Sequence, residues 1–155
     1  MLAAALALQL TTVLVFTTTD CPISNRYAPE INRLAEKFDG RALFRLVYPV
    51  TTDTDALIRE HRKKLGYTIS WERDARRELV KKTGVSVTPE VAVFDGTGKM
   101  VYRGRIDDRY IAFGKDRPQP TVRDLDRSLE AVVAGKPVPV AQTPAIGCIL
   151  SDLIK

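Results

Sequence analysis

The chain has 155 residues, which fits about one domain with a hydrophobic core of its own. Its formal net charge is +5, but the basic residues alternate with acidic ones and do not form a block. Such alternation is typical of solvated helix faces and argues against a nucleic-acid-binding protein. The only cysteines, Cys21 and Cys148, are too few for a disulfide scaffold or a cysteine zinc site.

The first ten residues, MLAAALALQL, look like the apolar part of a signal peptide but lack its positively charged start. The segment is also too short to span a bilayer, so no membrane span is expected. We interpret residues 1–10 as an N-terminal extension. Three interpretations of this extension are open: a short helix, a continuation of the first strand, or the remnant of a truncated leader.

Apolar periodicity predicts alternating strands and helices from residue 11 to residue 135. The run TTVLVF at 11–16 is apolar and β-branched, as in a buried strand. After Cys21, apolar residues at helical spacing predict one helix that ends at Gly40. The other predicted elements are a strand at 42–50, a helix at 53–66 opened by Asp53 and closed by Gly66, a short strand at 67–70, a helix at 71–84, hairpin strands at 90–95 and 100–106, and a helix at 121–135.

This order of elements predicts an α/β domain with a mixed sheet over residues 11–135. Residues 136–155 form a tail that carries Cys148 and has too many prolines for a helix before its last residues.

Cys21 lies where the first strand feeds the following helix, at the strand end where ligands of α/β sheets bind. A thiol at a helix N-terminus faces unpaired N–H groups, which favour the nucleophilic thiolate. Pro22 fits the first helical position, where a missing N–H costs nothing. Asp20 acts in the opposite direction, because a neighbouring carboxylate disfavours the sulfur anion. Cys21 is therefore a candidate nucleophile, structural thiol or disulfide partner.

Two segments make the chain similar to the thioredoxin-fold superfamily. In the first, Pro29 follows Cys21 by eight residues, and the second is GVSVTPEVAVFDGTGKMVYRGR at 84–105. The resemblance is closest to the redoxin branch, which includes alkyl hydroperoxide reductase/thiol-specific antioxidant domains and thioredoxin-like oxidoreductases. It implies a thioredoxin-like fold, with a central mixed β-sheet flanked by helices on both faces. It also implies a cis bond between Thr88 and Pro89, two substrate-binding positions beside the active sulfur.

The redox motif of that superfamily departs from its usual form here. Its C-x-x-C reads Cys21-Pro22-Ile23-Ser24, so Ser24 can donate a hydrogen bond to a thiolate but cannot resolve a mixed disulfide. Thr18 matches the threonine that precedes the reactive cysteine of peroxiredoxins by three residues. Redoxin-like sequences that pair a CPIS segment with a late Gly–Cys segment imply Cys148 as the partner of Cys21. The alternatives are a purely structural bond and two free thiols.

The single histidine, His61, lies in the run REHRKK and is interpreted as a solvated side chain on a charged helix face. No metal site is expected. Three arginines near the end of the hairpin are interpreted as surface partners of Asp107 and Asp108: Arg103, Arg105 and Arg109. The resemblance to peroxiredoxins offers a second role, in which any one of the three stabilises a thiolate or a peroxide oxygen. Arg105 is the one that we assign to substrate binding.

Together these features predict a thiol–disulfide oxidoreductase or an antioxidant, thiol-dependent peroxidase that needs no cofactor. Cys21 attacks a protein disulfide or a peroxide, and Cys148 or an external thiol reductant resolves the product. The alternative is a redox-inactive binding module of the same fold, in which a Cys21–Cys148 bond is a staple. The resemblance favours a periplasmic or secreted protein, with the cytoplasm as the other location.

Overall fold

The computed structural model describes residues 10–150, so most of the predicted N-terminal extension lies outside the described residues. A five-stranded sheet in the order β3-β2-β1-β5-β6 forms its centre. The strands are β1 (Thr11–Phe16), β2 (Ala42–Tyr48), β3 (Ser70–Arg73), β5 (Glu90–Phe94) and β6 (Met100–Gly104). β1, β2 and β3 are parallel, whereas β5 is antiparallel to β1 and β6 to β5. The predicted mixed sheet is confirmed.

Helices cover both faces of this sheet: α1 (Pro22–Arg26), α2 (Ala28–Lys37), α3 (Asp55–Leu65), α4 (Glu78–Thr83) and α5 (Asp124–Val133). The larger core contains Val13 and Val15 of β1 with apolar residues of α2, α3 and α5. The smaller core, on the opposite face, contains Leu14 and Phe16 and is packed by α4. Both faces of β1 are buried, which explains its uninterrupted apolar run. No helix of residues 10–150 is long and apolar enough to cross a membrane.

The single helix predicted after Cys21 is divided into α1 and α2 at Tyr27. Pro29 has no N–H for the carbonyl of Asn25, so the regular hydrogen-bond ladder stops there. The chain turns through Tyr27, whose N–H donates to the Ser24 carbonyl, and α2 then restarts with Pro29 in its first turn. Because of this division, α1 is a separate short helix with Cys21 at its N-terminus, and α2 packs in the core as a helix of its own.

The region after α3 differs most from the prediction. The helix α3 begins one residue late, with Thr54 as its N-cap, and ends as predicted at Gly66, which adopts the left-handed conformation. The predicted helix at 71–84 is wrong in its first half, because Trp71 pairs with Leu46 in the β2–β3 ladder. The carboxylate of Asp74 then accepts hydrogen bonds from two amides of the first turn of α4, which shortens that helix.

Four short strands lie outside the central sheet: β4 (Val87–Thr88), β7 (Tyr110–Ala112), β8 (Lys115–Asp116) and β9 (Cys148–Ile149). β7 and β8 form a small hairpin between the predicted strand at 100–106 and the predicted helix at 121–135, where no element was predicted. β9 belongs to the C-terminal tail and pairs antiparallel with β4. The tail therefore returns to the domain and adds a strand to it.

Candidate functional site

A disulfide joins Cys21 to Cys148 across 127 residues of sequence, with 6.3 Å between the two Cα atoms. Cys21 is the N-cap residue of α1, and Pro22 occupies the first turn. The Cys21 side chain has no exposed surface, whereas Cys148 is only partly buried. The tail thus covers Cys21 and presents Cys148 as the more accessible of the two sulfurs.

The backbone of β4 lies directly against the disulfide. The Thr88 carbonyl oxygen is 3.3 Å from the Cys21 sulfur, and Thr88 is also the residue that faces Cys148 in the β4–β9 ladder. The peptide bond from Thr88 to Pro89 is cis. A disulfide sulfur has no proton, so this approach is a packing contact in the oxidised protein. After reduction, the Cys21 thiol can donate a hydrogen bond to the same oxygen.

Glu90 binds the backbone at the start of β4. This residue was not identified from the sequence. Its carboxylate is buried and accepts hydrogen bonds from the amides of Ser86 and Val87, at 3.0 and 3.4 Å. Arg103 lies 3.7 Å from the same carboxylate. Burial raises the pKa of Glu90, and these hydrogen bonds and Arg103 lower it by less. An acidic residue at the start of a buried strand is the only signal for this role in the sequence.

The loop between β1 and Cys21 is held by a buried carboxylate, that of Asp53. Asp53 is 3% exposed and accepts a hydrogen bond from the Thr18 hydroxyl at 2.8 Å. The Thr19 amide donates to it at 3.2 Å, and the Thr19 hydroxyl is a third donor. The sequence predicted Asp53 as a helix cap, but Thr54 takes that position. Asp53 instead fixes the segment that delivers Cys21.

The tail contacts the domain at several places besides the disulfide. The Thr143 amide donates to the Arg103 carbonyl, the Arg103 amide donates to the Ala141 carbonyl, and the Thr143 hydroxyl is 2.6 Å from that of Tyr102. Gly147 packs so closely on β4 that a Cβ atom there would overlap the Thr88 carbonyl. Leu150 is 2% exposed within the smaller core, a burial worth about 2 kcal/mol. The tail is docked along its length between Thr143 and Leu150.

The three predicted site residues that carry hydroxyls have different surroundings. Ser24 is buried, and among the described residues its hydroxyl has no hydrogen-bond partner. Thr18 donates its hydroxyl to Asp53, as described above. The Thr88 hydroxyl is likewise buried without a partner in the described part of the chain. The oxidised site therefore contains hydroxyl donors that are not in use.

The interpretation of His61 as a solvated side chain is wrong. The ring is 7% exposed, with Nδ1 3.0 Å from the Tyr48 hydroxyl and Nε2 2.7 Å from Oδ1 of Asn25 in α1. This arrangement suits the neutral ring, in which Nε2–H donates to Asn25 and Nδ1 accepts from Tyr48. Burial lowers the pKa of His61, and Asp53 opposes that effect. His61 thus connects α3 to the helix that starts at Cys21.

The burial of His61 gives a testable pH dependence. Because its folded-state pKa is below the unfolded value near 6.5, the unfolded chain binds the proton first. This contribution to stability is complete above about pH 6.5 and is lost as the pH falls from there towards the folded-state pKa. We expect His61→Leu to cost about 2 kcal/mol at neutral pH and to flatten this dependence. Urea unfolding at several pH values measures both effects, since the chain has no other histidine.

The arginine partners differ from those expected. Arg105 lies 2.7 Å from Asp124, Arg103 is paired with Glu90, and Arg109 lies 3.8 Å from Asp116. The expected pairing of these arginines with the two aspartates is wrong, because both are taken by other donors. Asp107 accepts from Tyr27 and from the Arg109 amide, and Asp108 accepts from Thr121 and Val122. Arg105 thus forms its salt bridge with Asp124, the first residue of α5.

A cavity of about 580 Å³ opens beside the disulfide. Both cysteines line it, together with the Asp53 loop and the exposed side of α3. Its charged groups are the carboxylates of Asp20, Asp53 and Glu60 and the ammonium of Lys64. The disulfide therefore lies in the wall of an open cavity large enough for part of a partner molecule.

Sequence comparison identifies the family to which this geometry belongs. The sequence profile of the family described as Thioredoxin-like matches residues 10–100, more than half of the chain. The chain belongs to the Thioredoxin-like family. The matched residues of this Thioredoxin-like chain include β1, Cys21, α1 and the Thr88–Pro89 segment, whereas Cys148 lies outside them. No curated protein matches the chain in sequence.

Solved structures support the same fold for the Thioredoxin-like chain. An uncharacterized conserved protein from Geobacillus kaustophilus is 27% identical, with a TM-score of 0.80 over 91% of this chain and 76% of its own. A hypothetical protein from Sinorhizobium meliloti 1021 is 26% identical, with a TM-score of 0.77 over 92% and 79%. A secreted Mycobacterium tuberculosis disulfide oxidoreductase is 19% identical, with a TM-score of 0.54 over 83% and 84%, and shows likeness of fold alone.

Proposed function

We propose that the protein is a thiol–disulfide oxidoreductase whose redox pair is Cys21 and Cys148. The observation that carries this proposal is the disulfide itself, formed at the N-terminus of α1, against the Thr88 carbonyl and in the wall of an open cavity. The Thioredoxin-like family and the fold of the secreted disulfide oxidoreductase support it. In this proposal, the tail supplies the second sulfur that the CPIS motif lacks.

The proposed reaction begins with the reduced protein. The Cys21 thiolate attacks one sulfur of a substrate disulfide, forms a mixed disulfide and releases the other substrate sulfur as a thiolate, which takes up a proton. The Cys148 thiolate then attacks the Cys21 sulfur, closes the Cys21–Cys148 bond and releases the second substrate thiol. The substrate gains two electrons, which the two cysteines lose. An external dithiol returns both cysteines to the reduced state.

Two hydroxyls are the proposed donors to the Cys21 thiolate. Ser24 lies one helical turn from Cys21 and has a buried hydroxyl without a partner among the described residues. The hydroxyl of Thr88 is also buried without a partner among the described residues, and the carbonyl of the same residue contacts the Cys21 sulfur. A donor that is unused while the disulfide is closed costs energy in the oxidised state and gains a partner on reduction. We assign Thr18 a positioning role, through Asp53.

A peroxide substrate is supported less well than a disulfide. Thr18 donates to Asp53, and Arg103, Arg105 and Arg109 each have a carboxylate within 4 Å. A peroxidase would need donors of this kind free to face the attacked oxygen. Protein disulfides are therefore the proposed substrates, with Thr88 and Pro89 as the binding positions beside the sulfur. Arg105 is paired with α5 and shares with Pro89 only a crevice of about 10 Å³, so its proposed substrate-binding role has the weaker support.

The docking of the tail favours one other function, a binding module in which the disulfide is a staple. Thr143, Gly147 and Leu150 hold the tail independently of the bond, and Cys21 has no exposed surface. Closing so long a loop stabilises a chain by about 5 kcal/mol in the entropic treatment of disulfides. A staple must resist reduction as long as the domain stays folded, and this property separates the two proposals.

Thiol labelling followed by intact mass and peptide mapping tests the proposed function. We expect the folded protein to lose the Cys21–Cys148 bond in mild dithiothreitol, to take up two labels, and to re-form the bond with an oxidant. Circular dichroism on the same samples checks that the fold persists. A bond that opens only when the domain unfolds would establish the staple and refute the redox role.

The proposed location is outside the cytoplasm, in the periplasm or the secreted fraction. A disulfide persists most readily in such oxidising compartments. The Mycobacterium tuberculosis protein of similar fold is described as secreted. Fractionation of cells that express the full chain, with antibody detection, would place the protein directly.

A further inference from the structure

The way β9 binds β4 shows what kind of segment this site accepts. Cys148 faces Thr88 and Ile149 faces Val87 in an antiparallel ladder, and the Leu150 amide continues it with a 2.9 Å hydrogen bond to the Ser86 carbonyl. The guanidinium of Arg77 donates to the Leu150 carbonyl at 3.0 Å. An extended cysteine-containing strand is thus recognised through its main chain, as in strand addition to a sheet edge.

Side chains give this strand a defined register. The position before the cysteine must be glycine, because a Cβ on Gly147 would overlap the Thr88 carbonyl. The position after it is unselective, since Ile149 is 54% exposed. The next residue, Leu150, is buried in the smaller core, whose other buried members are Leu14, Phe16, Val47, Val85 and Ala92. The pattern read from the site is Gly-Cys-x-Leu.

We propose that β9 is a built-in substitute for the substrate, and that partner proteins bind in its place through an extended Gly-Cys-x-aliphatic segment. This inference rests on the proposed function and adds to it the substrate class and a competition. While the Cys21–Cys148 bond is closed, β9 cannot leave. After reduction, only the ladder, the Arg77 contact and the burial of Leu150 hold it.

The tether of β9 sets the strength of the competition. Thr143 stays bound to β6 through its main chain and to Tyr102 through its hydroxyl, so only a few residues separate this anchor from Cys148. A short tether gives β9 a high effective concentration at β4. A free segment must therefore match the register well to displace it, which restricts the partners that reach Cys21.

Mixed-disulfide formation with peptides tests this inference. The protein is the full chain with Cys148→Ser, reduced, and the parent peptide copies residues 143–150, with its cysteine activated as a mixed disulfide with thionitrobenzoate. The Cys21 thiolate attacks the peptide sulfur, forms a Cys21–peptide disulfide and releases coloured thionitrobenzoate with the electron pair of the broken bond. Three further peptides carry alanine in place of the glycine, the second isoleucine or the leucine.

We expect the parent peptide to react at least tenfold faster than the peptides that lack the glycine or the leucine. The peptide with the second isoleucine replaced is the matched control and should stay within threefold of the parent, because Ile149 is exposed. In addition, Leu150→Ala in the protein weakens the competing tail and should accelerate the parent peptide at least threefold. Equal rates for all four peptides would overturn the register, and no acceleration with Leu150→Ala would overturn the competition.

A small reagent separates this inference from the proposed function. If dithiobis-nitrobenzoate modifies Cys21 in the folded protein but the peptides do not differ, the inference fails and the redox role stands. If neither the reagent nor any peptide reacts until the protein is denatured, Cys21 is not an available nucleophile. The proposed function and the inference then fail together.

Discussion

Replacement of Cys21 by serine is expected to abolish disulfide reduction by this protein, with a loss of turnover of about a thousandfold or more. The serine hydroxyl remains protonated at neutral pH and is a far weaker nucleophile towards a disulfide than a thiolate. The measurement is the rate of insulin reduction with dithiothreitol as the electron donor, compared with the rate in dithiothreitol alone. Turnover that survives in Cys21→Ser would show that Cys21 is not the nucleophile.

Cys148→Ser is the matched control, because it also removes the disulfide but leaves Cys21. We expect this variant to attack a substrate once and to remain as a mixed disulfide, since the internal second sulfur is gone. Intact mass should show the trapped adduct in Cys148→Ser and none in Cys21→Ser. If both variants lose activity without any adduct, the activity depends on the bond as a staple and not on attack by Cys21.

The central fold is predictable from this sequence because it depends on local patterns. The apolar runs of β1 and β2, the hairpin β5–β6 and the stop at Gly66 all follow from periodicity and turn residues. The region from Trp71 to Arg77 was predicted wrongly as helix, because its helical pattern competes with pairing to β2, whereas the second half of the predicted helix is α4. Trp71 gains a partner in the sheet, and Asp74 caps a helix that starts later. Tertiary contacts decided this region, and local propensity did not.

The sequence predicts the candidate site only where a single residue type, such as a cysteine, is enough to identify a position. Cys21 before a helix is visible in the sequence, and the resemblance pointed to Cys148. His61 was predicted wrongly because the residues around it in the sequence are charged, although its own side chain faces inward. Its hydrogen-bond partners, Tyr48 and Asn25, belong to elements that are distant in the sequence. The strand formed by Cys148 and Ile149 has no periodic signal, since it is only two residues long. Its partner, β4, is as short, so only the folded chain brings the two together.

The second large effect is expected at Asp53, where replacement by alanine should lower the free energy of unfolding by about 3 kcal/mol. The buried carboxylate accepts from the Thr18 hydroxyl and from the amide and hydroxyl of Thr19. Alanine removes the acceptor and leaves the Thr18 hydroxyl, in a residue that is 5% exposed, without its partner. Urea unfolding of the oxidised variant and wild type measures the difference.

Two further variants isolate the carboxylate. Asp53→Asn keeps the size of the side chain and one acceptor oxygen, so its loss should fall between those of wild type and Asp53→Ala. Thr52→Ala changes an exposed neighbour in the same loop and should stay within about 0.5 kcal/mol of wild type. If Asp53→Ala were no less stable than Thr52→Ala, the hydrogen bonds to Asp53 would contribute nothing to holding the loop. Cys21 would then be positioned by α1 and β4 alone.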